Sequence, residues 1–215
     1  MENRALDGMW PRSRRSPAGD DRRLRCSRKA AAQTGAMEQR RAPIVSLELL
    51  LDPDTEAQIR AEWQALADAG LSSLAAHPSP SNRPHITLVV RPSLPQLTRE
   101  LLGEVIKLPL SLTIGDPMLF GVGERRVLVR SVVPTEALQR LHAALHTIAG
   151  VGEDAAHTRP GEWTPHISLA RRIRVDSIPL ALRILDDTGG ATARRAEATG
   201  LRRWDSASAK VTDLL

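Results

Sequence analysis

The chain has 215 residues, 41% of them apolar and 26% charged, with a formal net charge of +5. That length suffices for one domain with a sizeable core or for two small lobes, and no run approaches the roughly 18 apolar residues a membrane span needs, so a soluble protein without membrane partners is expected. The single cysteine, Cys26, excludes an intrachain disulfide and agrees with a cytoplasmic location.

The charge is unevenly placed. Residues 1–36 hold nine Arg or Lys against four acids and account for the whole +5, so residues 37–215 sum to zero. Any attraction to nucleic acid in that domain must then come from a local groove. The first 36 residues carry no apolar signal-peptide core and read as a disordered basic tail. Three explanations fit them: a start site assigned upstream of the true one at Met37, a nucleic-acid-binding arm, or a targeting segment. The first is preferred, since Met37 leads directly into a strand and the tail shows no periodicity.

From there the elements follow in order. Residues 44–51 alternate as a strand, with Val45, Leu47, Leu49 and Leu51 on one face and Ser46 and Glu48 on the other. Asp52-Pro53 supplies a cap and a first-turn proline for a helix ending near Gly70, with Ile59, Trp63 and Leu66 as its apolar stripe. A Ser/Pro-rich loop over 71–83 leads to a strand over 84–91, and a helix fits 96–106. Strands are predicted over 108–114, 117–121 and 126–133, then a helix through Leu138, Leu141, Leu145 and Ile148 ending at Gly150. A polar loop over 152–164 delivers another strand, a helix lies near 177–185, and strands near 191–204 and 209–214 close the chain.

One pattern stands out from this order. Pro84-His85-Ile86-Thr87-Leu88 returns almost unchanged as Pro165-His166-Ile167-Ser168-Leu169. Residues two apart on a strand share a face, so each copy offers one imidazole and one hydroxyl, while Ile86, Leu88, Ile167 and Leu169 point into a core. Two imidazoles, titrating near pH 6.5, can divide the work of a general acid and a general base at cellular pH. Thr87 and Ser168 can donate hydrogen bonds to an oxyanion. No metal or other cofactor is needed for this chemistry, and no Cys/His cluster suggests one. His142 and His146 have ligand spacing on a helix but lack the intervening glutamate of a zinc site, and a solvated helix face is the expectation. His77 and His157 are expected to be solvated loop residues.

The paired motifs resemble those of the 2H phosphoesterase superfamily, within the branch of 2′-5′ RNA ligase-like and cyclic phosphodiesterase proteins. The likeness runs from about Pro43 to the C-terminus and includes the closing segment Leu201-Arg202-Arg203-Trp204-Asp205. It implies an α+β fold: two pseudo-symmetric α/β lobes with antiparallel sheets facing each other across a central cleft, in one bilobal domain over 37–215. It further implies catalytic His85, Thr87, His166 and Ser168, and opening of 2′,3′-cyclic phosphates at RNA 3′ ends or on nucleotides to 2′-phosphates. The reverse reaction would join RNA ends through a 2′-5′ bond. His85 is read as the acid and His166 as the base, an assignment the sequence leaves open.

Candidates for substrate binding are less certain from pattern. Related sequences commonly carry Arg where Arg171 stands, whereas strand parity favours Arg172 and, beside the first motif, Arg91; a bulge after Leu169 would reconcile Arg171 with parity. Phe120 and Trp163 are candidates to stack on one base, and each is also a plausible core residue. With one Phe, four Trp and no Tyr, the chain is poorly equipped for a long single-stranded platform, so a short terminus or a mononucleotide, bound by a monomer, is expected. Two alternatives stay open: the same fold acting on 2′-5′-linked oligonucleotides or an ADP-ribose cyclic phosphate, and a non-catalytic module that binds RNA ends.

Overall fold

The computed structural model describes residues 42–189 and 193–215, all within the compact unit Ala42–Leu215. The expectations for residues 1–36, for Met37 as the beginning and for Cys26 lie outside the described residues.

The first strand, β1 (Val45–Leu51), is buried along its whole length because it is paired on both edges. The alternation that marks Ser46 and Glu48 as its polar face is real, yet both are buried, at 4% and 5% exposure. Helix α1 (Pro53–Asp68) starts where Asp52 accepts from the Thr55 amide at 2.9 Å and from its hydroxyl at 2.7 Å. Its stripe of Ile59, Trp63 and Leu66 is buried as the spacing predicts. Helix α2 (Arg99–Val105) is shorter than predicted, because the Thr98 hydroxyl caps the Leu101 amide and the chain before it stays extended.

Strand β2 (His85–Arg91) carries the first motif. The two short strands predicted over 108–121 are one, β3 (Leu110–Phe120), with a register irregularity between Ile114 and Pro117. Its first half pairs with β6 (Arg194–Asp205) and its second with β4 (Arg125–Val132). Helix α3 (Glu136–Ala149) is capped by the Thr135 hydroxyl and ends at Gly150, where φ is 69° and a side chain would be strained. Strand β5 (His166–Arg174) carries the second motif, followed by α4 (Ile178–Gly189), β6 and the short β7 (Lys210–Asp213).

The described strands form an antiparallel sheet in the order β1-β2-β5-β4-β3-β6-β7, and β1 also pairs with β6. The expected α+β architecture is therefore present. It resolves into two antiparallel arms, β2-β1-β6-β7 and β5-β4-β3, joined where β3 crosses onto β6 and where β2 meets β5. At that second seam the strands share a single pair, Ile86 with Ile167. Ile86, Leu88, Ile167 and Leu169 are all fully buried, so each motif is anchored by the alternate residues that point away from its imidazole. Truncating one of these buried aliphatics to Ala would cost about 2–5 kcal/mol.

Candidate active site

Antiparallel counting from the Ile86–Ile167 pair sets His85 opposite Ser168 and Thr87 opposite His166. Each imidazole thus faces the hydroxyl of the other motif across the seam. All four residues are half-buried, at the edge between core and solvent.

The two rings are held alike. Nδ1 of His85 lies 2.7 Å from the carbonyl of Arg83, and Nδ1 of His166 lies 2.7 Å from the carbonyl of Thr164. The intervening residue is proline in both cases, Pro84 and Pro165, which keeps the preceding residue extended and its carbonyl under the ring. A carbonyl can only accept, so Nδ1 carries hydrogen in both rings and Nε2 is the nitrogen left for chemistry.

Backbone on the motif strands is held from behind by two indoles. Trp63 on α1 donates to the Ser168 carbonyl at 3.0 Å, and Trp163, in the loop before β5, donates to the Thr87 carbonyl at 2.9 Å.

Electrostatics distinguish the two histidines. Burial lowers the pKa of His166 below the usual imidazole value; the Thr164 carbonyl opposes this, and the neighbouring His157 and His85 lower it further. Phe120 packs on the His166 ring at 4.9 Å between centroids. His85 has a different neighbour: its Nε2 is 3.7 Å from Oε1 of Glu48. Burial raises the Glu48 pKa, but the charges of His85 and Arg202 and a hydrogen bond from Ser46 outweigh it and hold the carboxyl below its ordinary value.

Phe120 thus packs beside the second motif, while His157 is exposed, as expected of a solvated residue, yet close enough to influence the charge on His166. Among the arginines, one register shift falls between Ser168 and Ala170 and a second between Ala170 and Ile173, so simple alternation from Ser168 does not carry through to Arg171 and Arg172, which are both exposed. Arg91 is not at the site. Leu88 is an extra residue in β2 opposite β1, so parity inverts there and Arg91 points to the other face of the sheet. It is 3% exposed and binds Asp154 at 2.7 Å and the carbonyls of Ala149 and Gly150.

Trp163 packs against helix α3. One side stacks on His142 with centroids 4.0 Å apart, while the residue as a whole stays half-buried. His142 and His146 are themselves buried and not on a solvated face, their Nε2 atoms 3.1 Å apart. Among the described residues no group of three His, Cys, Asp or Glu is placed to hold a metal, and no helix is long and apolar enough to cross a membrane.

An α+β scaffold presents two His-x-Thr/Ser strands edge to edge, the arrangement expected of the 2H phosphoesterase superfamily. The family model of the 2′-5′ RNA ligase superfamily matches residues 53–214, spanning both motifs, and the chain belongs to that superfamily of enzymes. Among solved structures it is similar to Usb1 of Kluyveromyces marxianus, at 11% identity over 80% of this chain and 96% of that one, with a TM-score of 0.39. A structure of the same yeast protein with uridine monophosphate matches at 10% identity over 80% of this chain and 98% of that one, also with a TM-score of 0.39. No curated protein matches the chain.

Proposed function

We propose that this chain opens 2′,3′-cyclic phosphates, on RNA 3′ ends or nucleotides, to 2′-phosphates by acid/base catalysis between His85 and His166. The observation that carries the reading is the matched anchoring of both Nδ1 atoms, which leaves both Nε2 atoms for chemistry beside a seam lined by the hydroxyls of Thr87 and Ser168.

In the hydrolytic direction Nε2 of His166, neutral because burial disfavours its charged form, takes a proton from water as the new O–P bond forms. The P–O3′ bond breaks, and the proton on Nε2 of His85 passes to O3′. Thr87 and Ser168 donate to the non-bridging oxygens, where charge grows in the transition state. With a ribose 5′-hydroxyl in place of water as the attacking group, the same steps form a P–O5′ bond, break P–O3′ and so make a 2′-5′ linkage. The two imidazoles supply both proton transfers, so the scheme calls for no metal.

The test is turnover of 2′,3′-cyclic nucleotides by the full chain in excess chelator, followed by phosphorus NMR beside His85→Ala and His166→Ala. A 2′-phosphate from wild type and from neither variant is expected. A 3′-phosphate product, or activity that survives loss of either histidine, would refute the mechanism. Running a 2′-5′-linked dimer and an ADP-ribose cyclic phosphate alongside assigns the substrate class.

A further inference from the structure

Glu48 occupies a position that the two-histidine scheme does not use. It lies on β1 opposite Thr87 on one neighbouring strand and opposite Arg202 on the other. Oε2 accepts from Arg202 Nε at 2.8 Å and from Nη2 at 2.7 Å. Oε1 accepts from the Ser46 hydroxyl at 2.7 Å and stands 3.7 Å from Nε2 of His85. A buried carboxylate is costly unless each oxygen is satisfied. Arg202 satisfies one and Ser46 the other, with His85 within electrostatic reach of the second.

The nitrogen involved matters. Nδ1 of His85 is committed to the Arg83 carbonyl, so the carboxylate faces the one nitrogen from which a proton can leave. His166 has no such partner: among the described residues no carboxylate forms an ion pair with it, and its neighbours are the Phe120 ring, the Thr164 carbonyl and the imidazoles of His85 and His157.

We propose that Glu48 is a positioning residue that keeps the proton on Nε2 of His85, making His85 the acid and His166 the base; this rests on the phosphodiesterase reading above. The groups facing the Glu48–His85 pair are Ser46 from β1, Arg202 from β6 and His166 from β5. Arg202 offsets the carboxylate at longer range, so an incoming phosphate meets a nearly neutral pair, while His85 at 3.7 Å feels the nearer oxygen. In turnover His85 gives its Nε2 proton to the departing O3′ and His166 gains one from water. Transfer of that proton back through solvent restores both rings.

Two substrates separate an acid's helper from a structural residue. The 3′ alkoxide of a 2′,3′-cyclic nucleotide must be protonated to leave, whereas the phenolate of thymidine 3′-(4-nitrophenyl) phosphate leaves unaided. In the full chain, Glu48→Gln should lose roughly 10- to 100-fold in kcat on the cyclic substrate and little on the aryl ester. His85→Ala should show the same selectivity and His166→Ala should fail on both. Glu48→Asp, which keeps the charge but draws it back, should show a smaller loss of the same kind. Equal losses on both substrates, or none, would overturn the inference. Nitrogen-15 NMR of the labelled histidines reports it independently of turnover: at one neutral pH the His85 Nε2 proton should be present in wild type and reduced in Glu48→Gln. An unchanged His85 resonance would also sink the idea, while a wild type inactive on both substrates with the expected spectra would count against the phosphodiesterase reading alone.

Discussion

The indole of Trp163 donates to the backbone carbonyl of Thr87 at 2.9 Å, and on the other motif Trp63 makes the equivalent bond to Ser168 at 3.0 Å. These two carbonyls belong to strands that share one pair at the seam, so each would lack a ladder partner there. The indoles take up that acceptor capacity and let the strands diverge without an unsatisfied group.

Trp63→Phe and Trp163→Phe keep an aromatic ring but remove the donor. Each should lower stability by about 1–3 kcal/mol, the cost of leaving a buried carbonyl unpaired, and should lower kcat more than it raises KM, since the hydroxyl beside the phosphate moves with its strand. Urea unfolding and steady-state kinetics on a cyclic nucleotide check both effects. An unchanged kcat in either variant would show that the bond holds the fold and not the motif.

The motif hydroxyls follow from the proposed chemistry. Thr87→Val and Ser168→Ala remove one donor each to the developing phosphate charge, and each should cost about 10²-fold in kcat with a small change in KM. Losses confined to KM would mean that the hydroxyls bind the ground state only.

Acid should weaken the protein through His142. Burial and the adjacent His146 hold its pKa at about 4, against an ordinary value of 6.5, despite a hydrogen bond to the Thr158 carbonyl. Between these values the unfolded chain binds more protons than the folded one, so stability is full above pH 6.5 and falls as pH drops toward 4. The loss is on the order of a few kcal/mol. Asp154, whose pKa is lowered below 3.8, adds its own loss only further into acid. Denaturant midpoints from pH 8 to 4 should fall in wild type and stay flatter in His142→Phe, which keeps the stack on Trp163.

Buried charge on the far side of the sheet gives a different test. Glu62 on α1 is fully buried and accepts from Arg130 at 3.0 Å and from Arg194 at 2.8 Å. Arg130→Met should destabilise by about 3–5 kcal/mol, because the carboxylate loses a buried partner, and Glu62→Leu added to it should recover much of that. Circular dichroism melts of the two variants decide it; a double variant as weak as the single one would contradict the argument.

What the sequence revealed divides along physical lines. Both motifs, the Asp52-Pro53 helix start, the Gly150 helix stop and the stripe through Ile59, Trp63 and Leu66 are local patterns, and local patterns survive folding. Glu48 looked like an ordinary polar strand residue because its partner Arg202 is 154 positions away. Trp63 read as core, which it is at 2% exposure, and nothing in its neighbourhood announces that its N–H reaches Ser168. The run Leu49-Leu50-Leu51 after Glu48, apolar at every position, is the one local signal that this strand is covered on both faces.

The arginines show where strand parity fails. Counting by twos from His85 reaches Arg91, and counting by twos from His166 reaches Arg172, but extra residues break the count: Leu88 in β2, and in β5 one between Ser168 and Ala170 and another between Ala170 and Ile173. The first sends Arg91 to Asp154 and the end of α3; those in β5 leave Arg171 exposed just past the second motif, where it is our candidate to meet the phosphate. The two residues should therefore respond oppositely to truncation. Arg91→Ala strands the Asp154 carboxylate and two carbonyls in a buried site and should cost roughly 3 kcal/mol or more in urea unfolding, with kcat/KM of the remaining folded protein little changed. Arg171→Ala, at an exposed position, should leave stability within about 0.5 kcal/mol and lower kcat/KM by about 10-fold or more, the scale of one lost charge-assisted bond to phosphate. A catalytic defect in Arg91→Ala together with none in Arg171→Ala would mean that parity, and not the bulge, decides which side chain meets the substrate.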